Sequence, residues 1–166
     1  MVRLGFLGLL VTRGMMLATL VILAVSLVVA GCGSTPYTLA ATGPFVYPEN
    51  WAYPANSNPS LDRIAVLVTI TNRSGDDLQV NPGDFLVRDS QHHVYAADLA
   101  ATTAAASIAN EPPELHGKLP LPSVTLRNDD VLSGIIVFEV PHGVRPVELI
   151  WRQSDSDSVA SLTTAR

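Results

Sequence analysis

Three patterns of apolar and polar positions follow one another along the chain. Met15 to Ala30 is an unbroken apolar run, MMLATLVILAVSLVVA, preceded by Met1 to Arg13 with two arginines and no acid. Gly33 to Ser60 has no period; it is rich in Pro, Gly, Ser and Asn and predicts an extended segment without a core of its own. From Leu61 a two-residue period sets in. Ile64, Val66, Val68 and Ile70 fall on one face of a strand, with Ala65, Leu67, Thr69 and Thr71 on the other, and Asn72 to Asp77 is a turn cluster. A second strand begins near Leu78, is broken at Asn81-Pro82-Gly83-Asp84 and resumes as Phe85 to Arg88. Asp89 to His92 turns the chain, and Val94-Tyr95-Ala96 returns it. The alanine-rich stretch after Asp98 predicts a short helix in the loop 98–110, capped by Asp98 and stopped at Glu111-Pro112-Pro113. Val124 to Leu126, Ile135 to Val140 and Val147 to Trp151 read as three more strands, and residues 153–166 as a polar, disordered tail. Turns at this spacing predict an all-β protein, a sandwich or a barrel rather than alternating helix and strand. Its expected core is Ile64, Val66, Val68, Ile70, Phe85, Val87, Leu126, Ile136, Phe138, Val140, Leu149 and Trp151.

The N-terminus changes this picture from a free domain to an attached one. A basic start, an apolar run and a small-residue exit are the parts of a secretory signal. The uncharged run of 16 residues is short of the roughly 20 that span a bilayer. Val29-Ala30-Gly31-Cys32 resembles the lipobox of bacterial lipoproteins: aliphatic, small, small, cysteine. The resemblance implies removal of a signal helix over 1–31 with cleavage at Val29, Ala30 and Gly31, and thioether lipidation of Cys32. The protein would then sit in the cell membrane as a lipid-anchored chain on the extracytoplasmic face, its domain on a tether over 32–60. Cys32 is the single cysteine, so the domain holds together without an internal disulfide.

Charge narrows the partners. Ten basic residues face fifteen acids; loss of Arg3 and Arg13 with the leader leaves eight against fifteen, a net of about −7. That excludes nucleic acid and anionic lipid head groups as expected partners. The tether carries an anomaly, since Tyr37, Phe45, Tyr47, Trp51 and Tyr53 are five of the chain's ten aromatics. Phe45 to Tyr53 either fold back as a first strand or edge cover, or present an exposed stacking platform for sugars. Packing is the commoner fate of large rings.

Leu61 to Trp151 resembles the secreted bacterial domains of unknown function that adopt a telokin-like, immunoglobulin-type sandwich. The residues carrying the resemblance are Val68-Thr69-Ile70-Thr71-Asn72, then Asp84-Phe85 and Asp89 leading to Tyr95, then Ser133-Gly134 with Phe138-Glu139-Val140-Pro141, and finally Leu149 and Trp151. Asn128-Asp129-Asp130 and Gln91-His92-His93 depart from that family's turns, which usually hold Pro-Gly-acid and a glycine respectively. The resemblance implies a fold, an antiparallel, immunoglobulin-like β-sandwich of about seven strands over residues 61–152, and export, not a reaction.

Candidate chemistry is sparse. His92 and His93 with Asp89 offer metal-ligand types, but adjacent positions of a strand point to opposite faces and a solvated turn explains them. Copper lacks its ligands: all three methionines lie in the leader, and Cys32 is consumed by lipid. Asp76, Asp77, Asp84 and Asp89 could line a calcium site, without the spacing of a known loop; Asp129, Asp130 and Glu139 read as a solvated rim. Ser133 lies outside any Gly-x-Ser-x-Gly elbow, and Glu111 with Glu114 flank prolines in a mobile loop. The expectation is a protein with no catalytic residue, no metal and no cofactor. It is read as a non-catalytic interaction module for another envelope protein. The alternative is a ligand-binding lipoprotein that holds a cell-wall glycan or small apolar molecule on Phe45, Tyr47, Trp51 and Tyr53.

Overall fold

A computed structural model describes residues 37–47, 60–105, 112–154 and 156–163. Nine strands run in chain order: β1 (Tyr37–Val46), β2 (Leu61–Asn72), β3 (Leu78–Val80), β4 (Phe85–Asp89), β5 (Val94–Ala96), β6 (Val124–Leu126), β7 (Val131–Pro141), β8 (Pro146–Arg152) and β9 (Asp157–Ser161), with one helix, α1 (Leu99–Ala104). They form a three-stranded sheet ordered β1-β2-β7, a four-stranded sheet ordered β5-β4-β8-β9 and a two-stranded ribbon of β3 and β6. Every pairing within the sheets is antiparallel.

The two-residue period explains how the sheets face each other. In the β2–β7 register Ile64 lies opposite Phe138 and Val66 opposite Ile136, so their side chains share one face. Phe85, Val87, Leu149 and Trp151 do the same on the four-stranded sheet, and one buried cluster joins both inner faces. All twelve expected core residues belong to it. The seven strands read from the sequence are β2 to β8. The break at Asn81–Asp84 is a change of sheet: β3 pairs with β6, whereas β4 joins β5 and β8. The helix forms as expected, with the Asp98 carboxylate accepting from the Ala101 N–H at 2.9 Å.

Two expectations are corrected. The segment 32–60, read as a tether without a core, contains β1, which pairs along β2 from Tyr37–Asn72 to Val46–Ile64 and buries Tyr37 and Ala41. Gly43, at φ +135°, sits in the bulge between Thr42 and Phe45, where a Cβ would lie 3.0 Å from the Ala65 carbonyl oxygen. The segment 153–166, read as disordered, contains β9, which pairs with β8 and buries Ala160. Both are outer strands. Their side chains are mostly small or polar, so pairing with β2 and β8 rather than a strong apolar pattern orders them.

Single bridges tie the sheet edges together at a few points. Thr42 bridges to Thr163, the Gly43 N–H donating to the Thr163 carbonyl at 3.1 Å, so β1 meets the chain just after β9. On the other side Ala97 bridges to Phe138, and the Asp98 N–H donates to Val137 at 2.8 Å, joining the end of β5 to β7. Residues 119–121 run beside β7 as a strap, with Ile135 N–H donating to Leu119 and Leu121 N–H to Ile135, each at 2.9 Å. Gly134 lies beneath that strap, where a Cβ would fall 2.6 Å from the Leu121 Cα.

A second cluster covers the outer face of the three-stranded sheet. Ala65, Ile135 and Val137 point outward and are buried under Tyr47, Ala101, Ala105 and Leu115, with Phe45 and Leu67 packed alongside. This accounts for the unalternated run Ile135-Ile136-Val137, since a strand covered on both faces is apolar on both.

Candidate functional site

Beside the β3–β6 ribbon the surface opens into adjoining hollows. A cleft of about 500 Å³ separates β3 and Asp84 from the end of β8 and is lined by Leu78, Gln79, Trp151 and Arg152 to Ser154. A second, of about 570 Å³, shares Gln79 and Asp84 and runs over Asn81 and Ser123 to Thr125. A third, of about 370 Å³, shares Asn81 and Ser123 and is walled by Pro82, Leu99, Thr102 and Pro120 to Pro122. The ribbon is thus the floor of a continuous concave surface.

Its parts are placed by the fold. Alternation turns Leu78 and Val80 toward the core and Gln79 outward, where its amide donates to Thr125 Oγ1 at 2.7 Å. The 3-10 turn Pro82–Asp84, with Asn81 as its cap, sets Asp84 on the cleft. The Trp151 ring stacks on Phe85 (centroids 5.4 Å apart, planes 9° apart) and meets Tyr37 edge-on at 5.0 Å. Tyr37 in turn shares a hydrogen bond with Ser158 of β9. Trp151 is fully buried, yet its Nε1–H has no hydrogen-bond partner among the described residues, and neither has the buried Nε2 of Gln153. Both residues border the cleft, but both donor atoms are shielded from solvent.

Most residues singled out from the sequence serve the fold. Asn72 is fully buried and holds the ribbon: its Nδ2 donates to the carbonyls of Leu126 and Asp76, each at 2.8 Å, while its Oδ1 accepts from the Ser74 N–H and hydroxyl. Asp89 accepts from the backbone N–H groups of Gln91 and His93, from the His93 ring and from the Tyr95 hydroxyl. Burial by itself would raise that carboxyl; the bonds from His93, Tyr95 and Gln91 outweigh it and hold it below its ordinary value. Tyr95 moves upward, through burial and then its bond to Asp89. Asp62 behaves like Asp89, lowered on balance by Gly143, His142 and Arg145 against the effect of burial. Ser133 bonds across the pair to Thr69 at 3.1 Å, and Glu139 is ion-paired to Arg63 at 2.9 Å. Asp130 accepts from the Arg127 N–H, and Asp129, at φ +66°, from the Asn128 side chain. Among the described residues no three His, Cys, Asp or Glu side chains gather as a metal site.

Of the aromatics, Tyr47 is buried in the second cluster and Phe45 packs against it, so these two rings face α1 and its surroundings. Val29, Ala30, Gly31, Cys32, Trp51, Tyr53 and Glu111 lie outside the described residues. Among the described residues no helix is long and apolar enough to cross a membrane. Sequence reasoning placed Trp151 in the core and passed over Gln153. The signal was present: Gln153 shares the parity of Leu149 and Trp151, so an inward-phased amide follows an inward-phased indole.

Together these features define a β-sandwich with a recessed polar cleft on a short ribbon. The chain belongs to the family described as a domain of unknown function (DUF4352), whose model matches residues 54–160. No curated protein matches it. Two similar solved structures share the fold. A secreted protein from Mycobacterium tuberculosis, MPT63, superposes with a TM-score of 0.51 at 11% identity, covering 75% of this chain and 82% of its own. The yjhA protein from Bacillus subtilis superposes with a TM-score of 0.51 at 15% identity, covering 77% and 92%. Asn72, Asp89 with Tyr95, Gly134 and Trp151, which carried the sequence resemblance, all hold strands, turns or the core in place.

Proposed function

We propose that this protein is a lipid-anchored, extracytoplasmic, non-catalytic module that docks another envelope protein on its β3–β6 ribbon. The observation that carries the reading is the contrast in edges. Single bridges engage β1 and β7 and the residues just after β5 and β9, whereas β3 and β6 form backbone pairs with each other alone among the described residues. An unpaired edge beside a groove is the arrangement that accepts an extended segment by strand addition. The leader and Val29 to Cys32 support the anchor and its side of the membrane, and the secretion named for the mycobacterial neighbour agrees with export. The commitment of Ser133, Asp89 and Glu139 to structural bonds supports a non-catalytic role.

Photo-crosslinking in the native host tests this. A crosslinking side chain at Gln79 or Val124, on the ribbon, is expected to give one discrete adduct, and the same group at Val159, on the outer face of β9, none. Absence of an adduct from the ribbon, or the same adducts from all three positions, contradicts docking there. Cys32→Ser, which removes the anchor, is expected to abolish the adduct.

A further inference from the structure

We infer that the domain is tied to the bilayer by the end that carries the β3–β6 ribbon, so that, given the lipid anchor and docking at the ribbon, the partner is a basic segment of a protein embedded in the same membrane. β1 begins at Tyr37, and only Gly33 to Pro36, four residues, separate it from Cys32. Five Cα-to-Cα steps span at most about 18 Å, whatever path they take, against roughly 95 Å for residues 33–60 fully extended. The place of Tyr37 in the fold decides which end is held. It pairs with Asn72, the last residue of β2. The Asn72 carbonyl accepts from the Asp129 N–H at 2.8 Å, and its side chain donates to the carbonyls of Asp76 and Leu126. Leu126 ends β6 and pairs with Leu78 of β3. The ribbon therefore starts one strand spacing and one side-chain bond from the tied residue, within about 30 Å of the acylated sulfur. The β7–β8 turn lies at the other end of β2: the Gly143 N–H donates to Asp62, about 34 Å along the strand from Asn72.

Charge selects the kind of partner. Arg73, Asp76, Asp77, Arg127, Asp129 and Asp130 are all exposed on the turns at the tied end, four acids against two bases. Anionic headgroups repel such an end, so the anchor brings the ribbon down to the membrane without the lipid covering it. A basic peptide is its electrostatic complement. A protein in the same bilayer holds its extracytoplasmic loops and juxtamembrane segments in that layer. Confinement of both chains to about 30 Å above the lipid raises their effective concentration, a gain that a freely diffusing partner does not share.

Two measurements on the full lipidated chain test this. In phosphatidylcholine vesicles with an acceptor dye on the headgroups, a donor dye on Asp77→Cys is expected to transfer more energy than one on Arg145→Cys, Cys32 being blocked by lipid. Equal transfer, or more from position 145, overturns the inference, and a chain that stays out of the vesicles overturns the anchor with it. In the native host, about twenty Gly and Ser residues inserted after Ser34 lengthen the link about fivefold. That spacer should lower the adduct from a crosslinking group at Gln79 several-fold, because effective concentration falls at about the −3/2 power of link length. The adducted partner should stay in the bilayer through an alkaline carbonate wash. A partner that the wash releases, or a yield unmoved by the spacer, overturns the membrane partner and leaves ribbon docking standing. No adduct from the chain with its native link overturns both.

Discussion

Gly134 gives the sharpest stability test, because the structure supplies both the perturbation and its control. An alanine there would place its Cβ 2.6 Å from the Cα and 2.8 Å from the N of Leu121, and these are backbone atoms that cannot swing aside. The strap must move away from β7. Overpacking of this kind costs about 1–3 kcal/mol. Displacing the strap also strains the two hydrogen bonds that tie Ile135 to Leu119 and Leu121, each worth about 1 kcal/mol net. A total of about 3–4 kcal/mol lowers the midpoint of thermal unfolding by about 10–15 °C for a domain of this size. Gly83→Ala is the control: its nearest neighbour is the Leu99 Cδ1 at 3.7 Å, an ordinary contact, and the expected change is within about 0.5 kcal/mol. Thermal unfolding followed by circular dichroism compares the pair. Equal midpoints for the two variants would refute the strap's role in closing the β7 edge.

Asn72→Ala leaves the buried Leu126 carbonyl without its donor and is expected to cost about 2–4 kcal/mol in a urea titration, with Asn72→Asp, which sets a carboxylate against two carbonyls, no better. Asp89 has its carboxyl held below the ordinary value of 3.8, so its stabilising effect is present above that pH and is lost as pH falls through the depressed value; urea midpoints should drop on the acid side, and Asp89→Asn should flatten that drop. A chain ended after Arg152 loses β9, the Thr163 bridge and the Tyr37–Ser158 bond, and is expected to lose cooperative thermal unfolding; a sharp, unshifted transition would mean that β9 contributes nothing.

The inner half of this fold was legible in the chain and the outer half was not. Ile64 to Ile70 and Phe85-Val87 announce their inner faces because large, fully buried side chains recur there at every second position. β1 reads TLAATGPF and β9 DSVAS: both are mostly small or polar, and their order comes from β2 and β8. The second cluster was half visible. Ile135 to Val137 lacked alternation, but the residues that cover it, Tyr47, Ala101 and Leu115, come from three separate segments that only the folded chain brings together. The cleft was the least legible part. Trp151 and Gln153 share a parity, but that both donors end without a partner depends on what packs around them, which no local pattern records.

A docking ribbon for envelope partners has meaning only if the domain is held outside the membrane. Intact mass spectrometry of the protein taken from membranes of its native host measures that directly. The expected species is a chain beginning at Cys32 and carrying diacylglycerol on the sulfur; residues 1–31 still attached to an unmodified Cys32 thiol would contradict the lipid anchor.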